Sequence, residues 1–369
     1  MRIIFGTGGT GGHLYPALAL ASYIKRQDPS SEFLFVGTID RLESEVVPQM
    51  GYAYKGLDLK GIVGSPINKA KAVLKFVTSI SQSKKIIKEF KPDLVIGFGG
   101  YPSSSIVMAA AKMHVPTIIH EQNSIIGLAN KILIKHVDAI VACYQKAANE
   151  FPKEKTYLLG NPRATEVHET TIKDVKGQYG IKDGQKTILI VMGSLGSSSV
   201  NRVIEQGMDE LGQKEYNVIF VTGKKQYDDM KAKFKQLPKN VNMIPYVDDM
   251  PSLLKSVDLV ITRAGASTLA EITSLGVASL IIPSPYVASN HQEYNALELC
   301  NQNAAKMILE KDLTKENLIS QIDELLSDSQ MIETLKKNAS KLGKPNASKD
   351  IYELMKKVIK WFQVNKLKL

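Results

Sequence analysis

The first thirteen residues place an apolar run directly before a cluster of glycines, and a histidine ends the cluster. The run from Ile3 to Phe5 predicts a short buried strand, and five of the next seven residues are glycines. Glycines at this spacing let the backbone approach an anion or a sugar closely, and a helix predicted over residues 14–24 directs its N-terminal N–H groups toward such a ligand. His13 follows the glycines, and histidine is the residue type that can exchange a proton near neutral pH without unusual tuning. The pattern therefore predicts a ligand-binding loop with a candidate catalytic residue.

The glycine spacing also satisfies the dinucleotide fingerprint, which needs an acidic residue about twenty positions on, at the end of the second strand. The second predicted strand, Phe33 to Val36, is followed by Gly37 and Thr38, and Asp40 comes too late. The sequence therefore disfavours a nicotinamide cofactor. A purely structural glycine turn is the alternative to a ligand-binding loop.

Length and composition narrow the class of protein. A chain of 369 residues predicts two domains. The sequence has no apolar run of about 18 residues and no signal peptide, so we expect neither a membrane-spanning helix nor secretion. Its two cysteines, Cys143 and Cys300, lie in unrelated segments. They predict no disulfide framework and no metal site, which fits a reducing cytoplasm.

Strand and helix signals alternate and predict an α/β fold of two Rossmann-like domains, each with a parallel sheet. The predicted strands of the first domain begin at Ile3, Phe33, Leu94, Thr117, Ala139 and Tyr157, and those of the second begin at Thr187, Asn217, Val241, Leu259 and Ser279. We place the first domain at residues 1–163 and the second at 164–344, with a helix at 345–369 that packs back on the first. Ligands of such sheets bind beyond the carboxyl ends of the strands, so we expect a cleft between the two domains.

Charge is uneven along the chain. From Lys60 to Lys91 there are eight lysines against Glu89 alone, a net charge of +7, with apolar residues at helical spacing. One interpretation is a helix that faces the core and has a solvated lysine face. The other is a surface that meets anionic lipid, helped by a basic C-terminal helix around Trp361. Because no nucleic-acid motif is present and few aromatics separate the lysines, we expect no nucleic acid as a partner.

The second domain carries residues that suit a nucleotide sugar. Ser194, in a glycine–serine turn before a helix, predicts a diphosphate contact, and Arg163 at the domain junction could add positive charge. Glu271 could accept two ribose hydroxyls, although a glutamate near a helix N-terminus is also favoured by the dipole. Gln292 and Asn295 suit sugar hydroxyls or ordinary helix ends. No Asp-x-Asp pair or metal-ligand spacing occurs, so we predict a site without metal or cofactor.

Six motifs follow one another in the order of a known family. They are Gly8-Gly9-Thr10-Gly11-Gly12-His13, Gly99-Gly100-Tyr101, His120-Glu121-Gln122-Asn123, Gly160-Asn161-Pro162-Arg163, Gly193-Ser194-x-Gly196, and Arg263-x-Gly265-Ala266-x-Thr268-x-x-Glu271 with Gln292-x-x-Asn295-Ala296. Nearly end to end, the chain resembles the family 28 glycosyltransferases of GT-B fold that complete the lipid-linked peptidoglycan precursor of bacteria.

The resemblance implies a role for each matched residue. His13 would be a candidate base for the acceptor hydroxyl. The other implied contacts are Thr10, Gly11 and Gly12 on the sugar and acceptor side, Asn123 and Gln292 on N-acetylglucosamine, Arg163 and Ser194 on the phosphates, Val247 and Arg263 beside uracil, and Ala266, Ser267, Thr268 and Glu271 on sugar and ribose. His291 stands where some members carry a second glutamine.

The resemblance also implies a reaction and a place. N-acetylglucosamine would pass from UDP-N-acetylglucosamine, with inversion, to the 4-hydroxyl of an undecaprenyl-pyrophosphoryl muramyl-pentapeptide. The enzyme would sit peripherally on the cytoplasmic face of the cell membrane and serve peptidoglycan synthesis, and so cell shape and division. Three alternatives stay open at this point: a diacylglycerol glycosyltransferase, a UDP-sugar epimerase, and a nucleotide-sugar-binding regulator without catalysis.

Overall fold

In the computed structural model the chain divides into two compact units. The first comprises Met1–Glu166 and Asn346–Leu369, and the second comprises Val167–Pro345. The structure describes residues 1–59, 66–193 and 196–366, with the backbone alone at 66–74 and at 366. Ser194, which the sequence predicts as a phosphate contact, and Lys60 lie outside the described residues.

The first unit is built on a seven-stranded sheet whose paired strands all run parallel. Its strands are β1 (Arg2–Gly6), β2 (Glu32–Thr38), β3 (Ala53–Leu57), β4 (Leu94–Gly97), β5 (Thr117–Glu121), β6 (Ala139–Ala142) and β7 (Thr156–Leu158), in the spatial order β3-β2-β1-β4-β5-β6-β7. The order reverses between β1 and β4, so this pair marks the switch point at which ligands of doubly wound sheets bind.

Helices cover both faces of this sheet. They are α1 (Gly11–Gln27), α2 (Leu42–Gln49), α3 (Pro66–Phe90), α4 (Tyr101–Lys112), α5 (Leu128–Lys131), α6 (Gln145–Glu150) and α7 (Pro162–Glu169). Side chains of a strand alternate between faces. Ile3 and Phe5 enter one apolar core, while Ile4 enters the other. The central strands are therefore apolar throughout, as expected of a sheet covered on both sides.

The second unit repeats this plan with six strands, again in parallel pairs. The strands are β8 (Thr187–Val191), β9 (Asn217–Val221), β10 (Val241–Ile244), β11 (Leu259–Thr262), β12 (Ser279–Ile281) and β13 (Lys306–Met307), in the order β10-β9-β8-β11-β12-β13. The helices are α8 (Lys176–Tyr179), α9 (Ser198–Gln206), α10 (Met208–Gly212), α11 (Tyr227–Ala232), α12 (Met250–Lys255), α13 (Ala266–Leu275), α14 (His291–Cys300), α15 (Lys315–Ser327) and α16 (Ser329–Leu342). Its switch point lies between β8 and β11.

Helix α17 (Ala347–Lys366) returns the chain to the first unit. Ile351, Leu354, Met355 and Ile359 are buried in the same core as the side chains of β1 and α1. Trp361, farther along the helix, is 61% exposed. The helix therefore completes the core of the first unit and leaves one large aromatic ring on the surface.

Helix α3 carries most of the basic stretch. Phe76 and Ile80 pack partly buried against the core and Ile87 is buried within it, so this side of the helix faces the protein. Val77 is 57% exposed, and Lys75 pairs with Asp58 at 2.7 Å. The exposed lysines of the described part are Lys84, Lys85, Lys88 and Lys91. Among the described residues, no helix is long and apolar enough to cross a bilayer.

Candidate active site

Two glycine turns interlock at the switch point of the first unit. The turn after β1 holds Gly8 and Gly9, and the turn after β4 holds Gly99 and Gly100. Both residues of the second turn have positive φ angles, +98° and +83°. A Cβ atom on Gly100 would lie 2.4 Å from the carbonyl oxygen of Gly8. Because only glycine fits so close to a neighbouring backbone, this contact explains why the second turn needs a glycine at position 100.

His13 lies in the first turn of α1, against this pair of turns. Its Nδ1 is 2.9 Å from the carbonyl oxygen of Gly8 and 3.4 Å from the hydroxyl of Thr10. A carbonyl oxygen only accepts hydrogen bonds, so Nδ1 is the donor, and the neutral ring keeps its lone pair on Nε2. A Cβ atom on Gly99 would lie 2.9 Å from Nε2. The ring therefore lies along the second glycine turn, in the tautomer that a base acting through Nε2 requires.

A buried carboxylate braces the same turns from the other side. Glu43, at the start of α2, accepts hydrogen bonds from the backbone N–H of Gly9 at 3.2 Å and from the N–H and hydroxyl of Thr38 at 3.0 and 2.8 Å. Its side chain is fully buried. Nothing in the sequence singles out Glu43, because a glutamate in the first turn of a helix is favoured by the helix dipole alone.

The turn after β5 is organised by a second buried carboxylate. Glu121 accepts from the N–H of Asn123 at 3.0 Å, from the N–H of Gly127 at 2.9 Å and from the side-chain amide of Asn130 at 2.9 Å. These bonds fix the backbone at Asn123, whose half-buried side chain the family resemblance assigns to the sugar. Glu121 therefore orders the turn. Asn123 is the one residue of the His120–Asn123 motif that is only half-buried.

His120, beside it, belongs to the core. Its ring stacks on Phe98 at 4.9 Å between centroids, and its Nε2 donates to the carbonyl of Gly160 at 3.0 Å. Burial disfavours the charged imidazolium and lowers the pKa of His120 to about 4. The histidine of this motif is therefore held neutral inside the protein.

We expect this burial to make stability depend on pH. The pKa of His120 falls from 6.5 to about 4 on folding, so the unfolded chain binds the proton more tightly. Burial of the neutral ring therefore favours the folded state fully above pH 6.5, and this advantage is lost as the pH falls toward 4. The loss in the free energy of unfolding is about 3 kcal/mol. Urea unfolding of the parent and of His120→Gln across this range measures it. A stability difference that does not change with pH contradicts a neutral His120.

Arg263 joins three segments at the switch point of the second unit. It follows β11 and donates to the hydroxyl of Ser197 at 2.6 Å, in the turn after β8, and to the carbonyl of Ile282 at 3.0 Å, beyond β12. It also forms an ion pair with Glu310 at 2.6 Å, with side chains only 11% and 9% exposed. Neither carboxylate oxygen of Glu310 accepts a well-aligned hydrogen bond within the described residues, so the Arg263 charge is its compensation.

The turn after β8 is as tightly packed as those of the first unit. Gly193 and Gly196 have φ angles of +86° and +70°, and a Cβ atom on Gly196 would lie 2.0 Å from the carbonyl oxygen of Thr222. Ser197 precedes α9, and its hydroxyl accepts from Arg263. The structure therefore places a glycine turn directly before a helix N-terminus, which is the local geometry that binds phosphates.

Helix α13 begins at Ala266, directly after the turn that holds Arg263. Ser267 and Thr268 are half-buried, and Glu271 is 9% exposed one turn into the helix. The hydroxyl of Ser267 is buried and has no hydrogen-bond partner among the described residues. These residues of the predicted sugar and ribose segment therefore share the first six positions of one helix.

The turn after β12 and the start of α14 lie against the same region. The side-chain oxygen of Gln292 accepts from the N–H of Ser284 at 2.9 Å, and the amide of Asn295 donates to the carbonyl of Ala264 at 3.2 Å. His291 donates from Nδ1 to the carbonyl of Ala288 at 2.9 Å, within its own turn. Asn295 thus ties α14 to the Arg263 turn.

The remaining predicted residues have no hydrogen bond described to the Arg263 cluster. Arg163, on α7, pairs with Glu166 one turn along the helix. Val247, which follows β10, is 4% exposed. Thr10 and Gly12 are exposed, and Gly11 is half-buried at the start of α1. In the first unit Thr10 to His13 lie at the start of α1 and Asn123 follows β5, whereas in the second Arg263 to Glu271 follow β11 and Gln292 lies at the start of α14.

Two doubly wound units, each with ligand-type turns at its switch point, define the GT-B class of glycosyltransferase folds. The chain is 27% identical to MurG of Acinetobacter baumannii, whose crystal structure superposes with a TM-score of 0.80 over 96% of this chain and 99% of that one. A UDP-N-acetylglucosamine 2-epimerase from Neisseria meningitidis, 15% identical with a TM-score of 0.68 over 97% of this chain and all of its own, shares the fold.

Sequence comparison identifies the family. Residues 3–142 match the glycosyltransferase family 28 N-terminal domain, and residues 187–351 match its C-terminal domain. Over 363 residues, 98% of this chain, it is 44% identical to the whole UDP-N-acetylglucosamine–N-acetylmuramyl-(pentapeptide) pyrophosphoryl-undecaprenol N-acetylglucosamine transferase 1 of Bacillus anthracis. The transferase of that name from Pediococcus pentosaceus is 43% identical over 98% of this chain and all of its own. The chain belongs to glycosyltransferase family 28, which confirms the resemblance and the predicted fold class.

Proposed function

We propose that this chain transfers N-acetylglucosamine from UDP-N-acetylglucosamine to the 4-hydroxyl of an undecaprenyl-pyrophosphoryl muramyl-pentapeptide. The observation that carries the proposal is the 44% identity, over 98% of the chain, to transferases named for this donor and acceptor. The product is the β-1,4-linked disaccharide lipid from which peptidoglycan is built. The epimerase alternative shares only the fold, at 15% identity.

His13 acts as the general base in this proposal. Its Nδ1 donates to the Gly8 carbonyl, so Nε2 has the lone pair that takes the proton from the acceptor hydroxyl. The oxygen then attacks the anomeric carbon of the sugar from the side opposite to UDP. The carbon–oxygen bond to the diphosphate breaks in the same displacement, and the configuration inverts.

The second unit holds the donor in this proposal. The turn before α9 and the start of α13 direct backbone N–H groups at the diphosphate, and their partial positive charge stabilises the departing UDP. Arg263 lies beside uracil, Glu271 accepts the ribose hydroxyls, and Gln292 contacts the N-acetylglucosamine.

We expect transfer to proceed without a divalent metal, because the sequence offers no metal-ligand spacing. The test incubates the protein with labelled UDP-N-acetylglucosamine and a muramyl-lipid acceptor, with and without excess chelator, and follows the disaccharide lipid and UDP. Equal rates support the prediction, whereas loss in chelator that magnesium or manganese restores contradicts it. Formation of a sugar epimer without acceptor supports the epimerase, and diacylglycerol as the better acceptor supports the lipid glycosyltransferase.

We further propose that the first unit docks on anionic lipid at the cytoplasmic face of the membrane, where a lipid-linked acceptor would be reached. The support is the row of exposed lysines on the second half of α3, together with the exposed Val77 and Trp361. Each lysine near anionic lipid contributes about 1 kcal/mol. Lys75 contributes less than its neighbours, because it already pairs with Asp58.

Charge reversal on α3 tests this surface. We expect Lys84→Glu with Lys85→Glu and Lys88→Glu to weaken co-sedimentation with anionic vesicles and to slow turnover of a long-chain acceptor. Turnover of a short, water-soluble acceptor should stay the same. Binding of the parent should weaken as salt rises, because exposed charges are screened over about 8 Å at physiological ionic strength. The matched control reverses Lys235, Lys239 and Lys337, exposed lysines of the second unit. Equal vesicle binding by both variants contradicts the proposal.

A further inference from the structure

The peptide group between Gly8 and Gly9, in the first glycine turn, contacts two side chains, Glu43 and His13. Its N–H belongs to Gly9 and donates to both carboxylate oxygens of Glu43, at 3.2 and 3.3 Å. Its carbonyl belongs to Gly8 and accepts from Nδ1 of His13 at 2.9 Å. A buried carboxylate, a peptide group and an imidazole therefore form one continuous chain of hydrogen bonds.

We propose that Glu43 is a positioning residue that acts on His13 through this peptide group. A charged acceptor on the N–H polarises the peptide and strengthens its carbonyl as an acceptor. The strengthened Gly8 carbonyl holds the proton of His13 on Nδ1, and so keeps the lone pair on Nε2. The arrangement works as the carboxylate does in hydrolase triads, with a peptide group inserted between acid and imidazole. The inference rests on the proposed function, because it takes His13 as the base.

The packing around Glu43 is built for this chain of bonds. A Cβ atom on Gly37 would lie 2.5 Å from Cγ of Glu43, and one on Gly8 would lie 2.8 Å from its Oε1. Glycines on both sides therefore give the carboxylate room to reach the N–H of Gly9. In all the hydrogen bonds described for Glu43 its side chain is the acceptor, and the donors are Gly9 and Thr38. This pattern suits a carboxylate rather than an amide.

A purely structural role is the competing explanation. Glu43 also closes the turn from β2 to α2 through its two bonds with Thr38. Loss of those bonds would destabilise the turn without touching the peptide group that reaches His13. Substituting Glu43 and substituting Thr38 should therefore have different effects, and this difference distinguishes the two roles.

The experiment compares Glu43→Gln with two controls. Glu43→Gln keeps one acceptor oxygen but removes the negative charge, so the N–H of Gly9 loses the charged acceptor that polarises the peptide group. Thr38→Val removes one hydrogen bond to the carboxylate and leaves the bond from Gly9. Glu45→Gln makes the same chemical change on the exposed side of α2. The readouts are kcat and KM for transfer, and the nitrogen shifts of isotope-labelled histidine, which report the tautomer. His291, which also donates from Nδ1 to a carbonyl, is the internal reference.

We expect Glu43→Gln to lower kcat by about tenfold, with KM for the donor within about twofold, and to move the His13 signals away from the Nδ1–H pattern. His291 should not change, and both controls should keep the parent's kcat and His13 signals. Unchanged kcat and signals in Glu43→Gln overturn the proposal, as does an equal loss in Thr38→Val. If Glu43→Gln does not fold, Glu43→Asp, which withdraws the carboxylate by one methylene, is judged by the same outcomes. A parent without transfer activity refutes the proposed function, while the histidine signals still decide whether Glu43 acts on His13.

Discussion

Replacing His13 with alanine is expected to lower kcat for transfer by about 10²–10⁴, the usual contribution of a positioned general base. KM for UDP-N-acetylglucosamine should change little, because the ring lies on the first unit and the donor is proposed to bind the second. The tautomer supports this expectation, since Nδ1 donates to the Gly8 carbonyl and leaves the lone pair on Nε2. Steady-state kinetics with a soluble acceptor analogue measure both constants.

His136→Ala is the matched control, because His136 is exposed and belongs to neither cluster. It should leave kcat unchanged. Partial recovery of His13→Ala by added imidazole would support proton transfer over a packing role. A kcat that stays within about threefold of the parent means that another group is the base.

Replacing Arg263 with methionine is expected to destabilise the protein by about 3–5 kcal/mol, because it leaves the Glu310 carboxylate buried without its counter-charge. That ion pair is 2.6 Å long, with side chains 11% and 9% exposed. The substitution also removes the bonds to Ser197 and Ile282. Urea unfolding followed by circular dichroism measures the loss.

A second substitution separates stability from donor binding. In Arg263→Met with Glu310→Gln the buried charge is gone, and we expect more than half of the lost stability to return. UDP affinity, measured by calorimetry, should stay weak in the double variant if Arg263 lies beside uracil. Recovery of both properties would assign Arg263 a structural role only, and no recovery of stability would contradict the importance of the ion pair.

The sequence predicts well those parts of the fold that depend on local pattern. Continuous apolar runs such as Thr187–Val191 identify the central strands, because a strand covered on both faces has no polar side. Two strands at sheet edges were not predicted. Ala53–Leu57 is mostly exposed, and Lys306–Met307 has only two residues, so neither has a strong apolar signal.

The sequence reveals less of the candidate site, because several of its contacts join distant segments. Neighbouring glycines and a histidine mark the turn at His13, but nothing near Glu43 shows that its carboxylate reaches the N–H of Gly9, 34 residues away. Likewise Arg263 is visible as a cation before a helix, whereas its pairing with Glu310 depends on the path of the chain after β12. The roles assigned to individual residues stay predictions.

Helix α17 affects the order in which the protein folds during synthesis. Its Ser348 N–H donates to the hydroxyl of Thr165, 183 residues earlier, and Ile351 and Met355 complete a core begun by β1. The ribosome therefore finishes the whole second unit before the first can close. Domains generally fold as units while the chain emerges, starting from the N-terminus. The second unit is therefore complete while the core of the first still lacks α17, and the apolar face that Ile351 and Met355 bury stays uncovered until this helix emerges.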